Sequence, residues 1–457
     1  MLSIEEKRKI WLNTFEENKE AMNGRVKSDI EKHRKGWCKL RFLDKNGNPI
    51  RNARVKIIQK THDFKFGAHI FMLDEFETEE KNKAYREIFK DYFNLATVPI
   101  YWDALEPEQG KLRFDKNSEK IYRRPATELC LEYCEENSID AKMHCLVYDK
   151  FIPDWLPKKD LKAMETLYEE RIRAIAERYA GRLYEIEATN ETFCAGNWTT
   201  QSVISEKRDL IEWSFRLARK YFPFDTLVIN EGNPIPDLYS NNYRSPYFIQ
   251  IEKALLKGAE IDKIGLQNHI FPGVRAGTPE EYDLAVKNGA EDCLLNPSKV
   301  LKGLDIIAEL GLPLEFTEVT FPTFGDTEED EIIQAEILKN MYSIWFSHPA
   351  VESIVYWNTV DGYCYVENSG DSAIAKWDEN RVRGGLFHHD LTPKKSAIAL
   401  KKLLTEEWHT ETELKTDENG TVEFRGFYGE YEADINNLRV SFAVHKNGNH
   451  AQEIMGV

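Results

Sequence analysis

The sequence predicts an α/β protein, a (β/α)8 barrel of the TIM type that carries a small β-sandwich-like module built from the N- and C-terminal segments. Eight strand-like segments alternate with amphipathic helical segments across about 330 residues, which is the pattern of such a barrel. A doubly wound open sheet is the alternative, but no glycine-rich phosphate-binding loop follows the first strand-like segment. Alternating apolar residues around Asn-Gly pairs near both ends predict the module.

Four regions follow one another along the chain. Residues 1–36 are dense in charge, with thinly spaced apolar residues, which predicts a helical leader that packs one narrow stripe. Residues 37–62 supply the N-terminal strands of the small β module, and an Asn-Gly pair within them predicts a β-hairpin. Residues 63–405 form the predicted barrel, and residues 406–457 supply the C-terminal strands of the module. Because neither end alone is large enough to fold well, we expect one shared module.

The eight predicted barrel strands are apolar stretches that end in polar residues. They cover residues 64–70, 92–99, 140–148, 182–190, 226–231, 264–270, 313–319 and 351–358. Between them, apolar residues recur at spacings of three and four, as on helices that cover a barrel. Barrels of this kind place their active sites at the C-terminal ends of their strands, so a site is expected there.

Composition and charge exclude several classes of partner. The chain has 457 residues, with 61 Lys and Arg against 78 Asp and Glu, and its formal net charge is −17. A surface of that sign repels nucleic acid and anionic lipid, so we expect neither as a partner. No apolar run approaches the roughly 20 residues of a membrane span, and the charged N-terminus is not typical of a secretory signal. The seven cysteines lack zinc-site spacing. These features predict a cytoplasmic protein, or a secreted one if a leader has been removed, without a metal or other cofactor.

Polar side chains collect where six of the predicted strands end. They are His144 and Tyr148, Asn190 and Glu191, Asn230 and Glu231, Gln267 and His269, Thr317 and Glu318, and Trp357 and Asn358. Burying so many polar groups costs free energy unless they bond to one another or to a ligand.

Two carboxylates in this set, Glu191 and Glu318, are the candidates for catalysis. A pair about 5 Å apart is what a retaining glycosidase uses. One carboxylate attacks the anomeric carbon, while the other donates a proton to the leaving oxygen and then deprotonates water. The charge of the nucleophile and partial desolvation would raise the pKa of the acid. An ordinary ion pair or a hydrogen-bonded strand end is the alternative interpretation of either residue.

Longer stretches are collinear with a known pattern. They are EPEQGKLRFD (106–115), MHCLVYDKFIPDWL (143–156), IEATNE (186–191), VINEGN, IGLQNHI, LEFTEV (314–319), VYWNTVDGY and LFHHDLTPKKSA. Across roughly residues 64–404 they resemble glycoside hydrolase family 10, the xylanase family. IEATNE is similar to the strand-four motif whose Glu is the acid/base, and LEFTEV is similar to the strand-seven motif whose Glu is the nucleophile.

The resemblance implies a role for each matching residue. Glu318 would be the nucleophile, Glu191 the acid/base, and Asn190 the partner of the substrate 2-hydroxyl, a contact that strengthens in the transition state. Further substrate-binding positions that it implies are His144, Gln267, His269 and Trp357. A satisfied core histidine and simple tryptophan packing are the alternatives for these side chains.

The sequence departs from the family pattern around the next sugar outward from the cleaved bond, here called the outer subsite. Thr97, Val98 and Tyr101 stand where the family has Glu, Asn and Lys on strand two, and Tyr148 and Asp149 replace a Trp and a His after strand three. Losing three hydrogen-bonding side chains removes several bonds of about 0.5–1.5 kcal/mol each. We still expect Tyr101, Tyr148 and Asp149 to contact substrate, but of a different kind. The expected substrate is a short or decorated xylan-type oligosaccharide, or a β-glycoside of another aglycone.

Two other functions are consistent with parts of the sequence. A non-catalytic carbohydrate-binding barrel would account for the altered outer subsite, but pure binding needs no pair of glutamates. A metal-dependent barrel hydrolase would use His144, His269 and Asp149, yet the strands carry no His-x-His or His-x-x-x-His pair. A retaining β-glycosidase that binds a β-linked oligosaccharide or glycoside is therefore the function that the sequence predicts.

Overall fold

The computed structural model of the protein describes residues 2–193, 200–289, 292–367 and 376–456. Its strands are β1 (Lys35–Leu43), β2 (Arg54–Gln59), β3 (Lys65–His69), β4 (Leu95–Pro99), β5 (Asp140–His144), β6 (Glu185–Asn190), β7 (Thr226–Glu231), β8 (Lys263–His269), β9 (Leu314–Thr320), β10 (Val351–Tyr356), β11 (Glu411–Lys415), β12 (Thr421–Phe427), β13 (Gly429–Ile435), β14 (Leu438–Val444) and β15 (Ala451–Met455). The eight from β3 to β10 are parallel and close into a barrel, which confirms the predicted fold class. Strands β5 and β10 end earlier than predicted, because the residues that follow them enter the loops of the C-terminal face, whereas β4 and β6 begin three residues later than predicted.

Helices cover the barrel and precede it. They are α1 (Ile4–Glu17), α2 (Lys19–Ala21), α3 (Lys27–Arg34), α4 (Glu79–Tyr92), α5 (Trp102–Leu105), α6 (Thr127–Glu136), α7 (Leu161–Tyr179), α8 (Leu210–Tyr221), α9 (Ile235–Asn241), α10 (Pro246–Leu256), α11 (Pro279–Asn288), α12 (Asp292–Leu295), α13 (Pro297–Ala308), α14 (Glu328–Ser347) and α15 (Lys395–Lys402). Local sequence sets their starts. In α14, for example, Thr327 and Asp330 form a reciprocal capping box that satisfies two backbone N–H groups. Among the described helices, none is long and apolar enough to cross a membrane.

The N-terminal helices pack along the outside of the barrel. Helix α1 begins with a capping box at Ser3 and buries three residues of one face, Trp11, Leu12 and Phe15. The Trp11 ring stacks on Phe324 with 4.4 Å between ring centroids. Apolar residues recurring at spacings of one, three and four bury a single stripe, and the charged remainder of the helix faces solvent.

The remaining strands form two small sheets that face each other. One has the order β12-β1-β15 and the other β11-β2-β13-β14, so each sheet combines strands from both ends of the chain. The core between them consists of Cys38, Leu40, Phe42, Val55, Ile57, Val422, Phe424, Tyr431, Ala433, Ile435, Phe442 and Val444. Both termini contribute to that core, which is the physical reason why neither end could form the module alone.

The β-hairpin predicted between the first two strands is wrong. A tight turn does form at the Asn-Gly pair, where Gly47 has φ 81° and Leu43 bridges to Pro49. The chain then crosses to the other sheet, where β2 pairs with β11 and β13. Strands β1 and β2 each carry alternate apolar residues. When the two strands lie in facing sheets, both sets of apolar residues are buried in the same core.

Charged side chains fill the lower part of the barrel. Lys142 bonds to Glu187 at 2.7 Å and also to Glu315, and Lys263 bonds to Glu185 at 2.8 Å. All five side chains are buried. Buried charges are tolerated only when paired, so this network holds its members firmly, including Glu187 directly below the C-terminal face.

Candidate active site

A cavity of about 400 Å³ opens at the C-terminal end of the barrel. Nine of the ten residues that the sequence predicts for the site line it: Tyr101, His144, Tyr148, Asn190, Glu191, Gln267, His269, Glu318 and Trp357. His144, Asn190 and His269 are the last residues of β5, β6 and β8. The closed barrel therefore brings side chains that are far apart in sequence into one cavity.

The two candidate catalytic carboxylates share one hydrogen-bond donor. Gln267 Nε2 donates to Oε1 of Glu191 at 3.1 Å and to Oε1 of Glu318 at 3.0 Å. Because a single atom joins both, these two oxygens lie at most about 6.1 Å apart, the two distances laid end to end. The two glutamates thus face each other across the cavity.

Glu318 is buried among hydrogen-bond donors. Its Oε1 also accepts from Asn230 Nδ2 at 3.0 Å, and His269 Nε2 lies 3.1 Å from Oε2. Burial lowers the pKa of His269 to about 4, so the ring is neutral. Its Nδ1 lies 3.0 Å from the Thr320 hydroxyl, which leaves Nε2 to donate to the Glu318 carboxylate. Burial raises the pKa of Glu318 to about 8, against the opposing effect of His144. The donors favour the anion that burial disfavours.

His144 is held between two partners at the cavity wall. Its Nδ1 lies 2.5 Å from Glu187 Oε2 and its Nε2 lies 2.9 Å from the Tyr101 hydroxyl. Burial alone would lower the pKa of His144, but the Glu187 carboxylate raises it. Although burial would raise the pKa of Glu187, Lys142 and His144 hold it at about 2. Both ring nitrogens of His144 therefore have a hydrogen-bond partner, and Nδ1 lies 4.0 Å from Oε1 of Glu318.

A local irregularity of β6 turns Asn190 into the cavity. The register between β6 and β7 shifts between Glu187 and Thr189. Without a shift, Glu187 and Asn190 would point to opposite faces of the strand, but Asn230 Nδ2 contacts both, at 3.3 and 2.9 Å. The sequence motif includes Asn190. Nothing in the sequence predicts that Glu187 lies on the same side of the strand, because strict alternation would place these two residues on opposite faces.

Glu191 begins the loop that follows β6. Its backbone has φ 51°, the left-handed region, and its N–H donates to the Asn230 carbonyl at 3.1 Å. The Tyr148 hydroxyl donates to Glu191 Oε2 at 2.7 Å. Non-glycine residues adopt this conformation where the surroundings hold them in it, which is common at functional sites. The sharp bend projects the carboxylate into the cavity opposite Glu318.

A model of glycosyl hydrolase family 10 matches residues 58–396, which is most of the chain and includes every residue of this cavity. The chain belongs to glycosyl hydrolase family 10. The resemblance found in the motifs is thereby confirmed, and the barrel described above is the fold of the family.

Several named proteins are similar to this family 10 chain. It is 24% identical over 428 residues to Endo-1,4-beta-xylanase 2 of Arabidopsis thaliana, covering 93% of this chain and 34% of the relative. It is 25% identical over 332 residues to Endo-1,4-beta-xylanase B of Thermotoga neapolitana, covering 70% and 84%. The crystal structure of xylanase 10B from Thermotoga maritima superposes with a TM-score of 0.57 at 23% identity, covering 76% of this chain and 96% of that one. The chain spans between a third and a half of the length of the first curated relatives.

Asp149 does not reach the cavity of this family 10 site. Its two carboxylate oxygens accept from the backbone N–H and the hydroxyl of Ser202, both at 2.7 Å, and the side chain is buried. Since these bonds satisfy the carboxylate, Asp149 anchors the loop after β6, and the expectation that it contacts substrate is not supported. Nor is it placed to bind a metal with His144 and His269.

The described residues include one cluster that could hold a metal ion: His144, Cys145 and Glu187. His144 and Glu187 are already bonded to each other, and Lys142 forms an ion pair with Glu187. Because the atoms of His144 and Glu187 that would bind a metal are bonded to each other and to Lys142, this donor set does not fit one.

The outer subsite has a wall that sequence reasoning did not identify. Tyr101 forms its centre, but Thr97 and Val98 are buried in β4 and do not line the cavity. Instead, Arg123, Arg124 and Lys150 surround the rings of Phe71, Tyr101 and Phe151. An Arg-Arg pair in the long loop between α5 and α6 was the available signal, but nothing in the sequence connects that loop to Tyr101.

Proposed function

We propose that this chain is a retaining β-glycosidase that cleaves β-1,4-xylosidic or related β-glycosidic bonds of short or decorated oligosaccharides. The observation that carries the proposal is the single Gln267 amide bonded to both Glu191 and Glu318. It limits the Oε1 atoms of the two glutamates to a separation of at most about 6.1 Å. Retaining enzymes hold their carboxyl groups about 5–5.5 Å apart, whereas inverting enzymes need about 6.5–9.5 Å to admit a water molecule.

In the first step, the carboxylate form of Glu318, which the surrounding donors favour, attacks the anomeric carbon and forms an ester bond to it. The bond from that carbon to the leaving oxygen breaks, and Glu191 transfers its proton to this oxygen. The amides of Gln267 and Asn230 and the ring of His269 hold the attacking carboxylate in place. Their positions do not have to change as charge leaves Glu318, so they contribute preorganisation.

In the second step, water attacks the same carbon from the side that the leaving group has vacated. Glu191 accepts a proton from this water, the ester bond breaks, and Glu318 regains its carboxylate. The Tyr148 hydroxyl, 2.7 Å from Glu191, keeps this carboxyl group turned toward the cavity in both steps. Two inversions at one carbon give net retention of the β configuration.

The nature of the substrate follows from the two halves of the cavity. The part around the glutamate pair matches the family motif residue by residue, which supports cleavage of a β-linked sugar. The wall around Tyr101 lacks the Glu, Asn and Lys of the family pattern, which supports a substrate other than plain xylan. Relatives named endo-1,4-beta-xylanase support xylose-type glycosides as the first compounds to assay.

Product stereochemistry tests the proposal directly. An aryl β-xyloside, β-xylobioside and β-glucoside panel is hydrolysed in an NMR tube, and the anomeric proton of the first product is followed before mutarotation. Initial release of the β-anomer is expected, while initial release of the α-anomer would show inversion and refute the mechanism. Binding of these sugars without turnover of any of them would support a non-catalytic barrel instead.

A further inference from the structure

Three cations gather on one side of the cavity. Arg123 and Arg124 both lie over the ring of Phe71, with Cζ 5.6 and 5.5 Å from its centroid. Arg124 and Lys150 both lie near the ring of Phe151, at 5.4 and 5.3 Å. We call Arg123, Arg124 and Lys150 the cationic wall.

The cationic wall has no carboxylate partner in the described part of the chain, since none of its three residues lies within 4.0 Å of one. Arg123 is only 3% exposed, yet its Nε has no hydrogen-bond partner among the described residues. Its Nη1 donates to the Asn358 side chain at 3.1 Å and to the Tyr363 carbonyl. Burial lowers the pKa of Arg124, against the opposing effects of Tyr101 and of Asp103, whose carboxylate lies beyond ion-pair distance.

The acidic side chains of the cavity that lie outside the catalytic pair have other donors. Glu379 accepts from Asn358 Nδ2 at 2.7 Å and from Trp377 at 3.3 Å. Glu367 lies 3.6 Å from Arg275. In a protein of net charge −17, three cations without an ion pair on one cavity wall are unusual, and holding them together costs free energy that an anionic ligand would offset.

The cationic wall lies beside the reacting sugar rather than at it. The guanidinium of Arg124 stacks 4.1 Å above the ring of Tyr101, whose hydroxyl is 2.9 Å from His144. His144 in turn is 4.0 Å from Glu318. Two side chains therefore separate Arg124 from the nucleophile, which places the wall at the neighbouring sugar.

The chemistry of the wall selects the kind of anion. A guanidinium presents a planar fork that matches a carboxylate with two parallel hydrogen bonds. The aromatic rings beside it offer flat apolar faces against which a sugar ring can pack. We infer that the cationic wall binds the carboxylate of an acidic sugar, of the uronic-acid class, in the outer subsite. This deepens the proposed function and rests on it.

The test compares two substrates that differ only at the outer sugar. One is an aryl β-xylobioside, and the other is the same glycoside with a uronic acid in place of the outer xylose. We expect kcat/KM for the acidic substrate to be at least about tenfold higher, and 0.5 M NaCl to reduce the ratio. In Arg124→Gln the ratio is expected to fall to near one, and in Lys150→Gln to fall partway. Arg173→Gln is the matched control, because Arg173 is half-exposed on α7 beside Glu177, and its ratio should equal that of the unchanged protein.

Binding measurements separate this inference from the proposed function. Glu318→Gln is titrated calorimetrically with the acidic disaccharide and with xylobiose, with and without Arg124→Gln. Tighter binding of the acidic sugar that disappears in the double variant supports the inference even if no glycoside is ever hydrolysed. Equal affinities, or a preference that survives Arg124→Gln and Lys150→Gln, overturn it while turnover of the xylobioside remains. Equal preference for a sulfate ester at the same position would overturn the carboxylate assignment in favour of charge alone.

Discussion

The centre of the cavity and its wall around Tyr101 differ in how their polar groups are bonded. At the centre, neutral amides from Gln267 and Asn230 donate to the carboxylates, so the protein itself satisfies the polar groups. On the wall, the guanidinium of Arg124 lies against Tyr101, and among the described residues it donates only to the backbone carbonyl of Arg123. The comparison teaches that the protein holds the carboxylates of the centre in fixed positions, as the proposed reaction requires, while the wall keeps hydrogen-bonding capacity for the proposed ligand.

The largest expected effect is at the centre. Glu318→Ala should lower kcat by about 10⁴-fold or more, because no other group can form the covalent bond to the anomeric carbon. Azide fits the space left by the carboxylate and should partly restore turnover, with an α-glycosyl azide as the product. The measurement is steady-state kinetics on an activated aryl glycoside, with NMR of the azide product. Undiminished hydrolysis would remove Glu318 from the mechanism.

The next effect depends on the leaving group. Glu191→Ala should lower kcat by about 10²–10⁴-fold on a glycoside with a poor leaving group, since general acid catalysis is lost. A dinitrophenyl glycoside needs no proton on its leaving oxygen, so its cleavage step should be spared. The check is the slope of log(kcat/KM) against leaving-group pKa, which should steepen in the variant. A slope equal to that of the unchanged protein would mean that Glu191 is not the acid.

A smaller effect is expected where the centre meets the wall. Tyr101→Phe removes the partner of His144 Nε2, and leaving a buried polar atom unsatisfied costs about 1–3 kcal/mol. We expect kcat/KM to fall about tenfold and the protein to lose some thermal stability. The matched control is Tyr342→Phe, because the Tyr342 hydroxyl is buried without a hydrogen-bond partner among the described residues. Equal effects of both substitutions would contradict a specific role of the Tyr101 hydroxyl.

The smallest effect concerns stability rather than rate. Burial raises the folded-state pKa of Glu318 to about 8, from a usual 4.5. Between these values the folded state holds a proton that the unfolded state has released, so this contribution to stability is complete below pH 4.5 and is lost as pH rises to about 8. Glutamine does not ionise, so the Tm of Glu318→Gln minus that of the unchanged protein should grow by about a few degrees from pH 5 to pH 9.

The control for the pH experiment is a carboxylate on the surface. Glu329 is exposed on α14, so Glu329→Gln should change Tm by a similar amount at both pH values. Calorimetry of the three proteins at pH 5, 7 and 9 makes the comparison. If the Tm difference between Glu318→Gln and the unchanged protein does not vary with pH, Glu318 is ionised in the folded state at all three pH values. The centre would then hold a full charge, as the wall does.

Much of the centre could be predicted from the sequence, because short collinear motifs carry it. Glu191, Glu318 and Gln267 lie at strand ends that the apolar pattern marks, and the closed barrel brings all three to the cavity. Glu187 could not be predicted, since its contact with His144 depends on an irregularity of β6 that strict alternation hides. Asp149 is next to Tyr148 in the same motif, but its carboxylate accepts from the Ser202 hydroxyl and does not line the cavity.

The sequence by itself determined the barrel, the shared terminal module and the pair of glutamates, because hydrophobic periodicity and local motifs are short-range properties of the chain. Only the tertiary structure decided which sheet receives β2, where Asp149 lies, and which loop supplies the wall beside Tyr101. Those outcomes depend on contacts between segments far apart in the chain. Such contacts are set by the packing of whole elements, and no local pattern of residues records them.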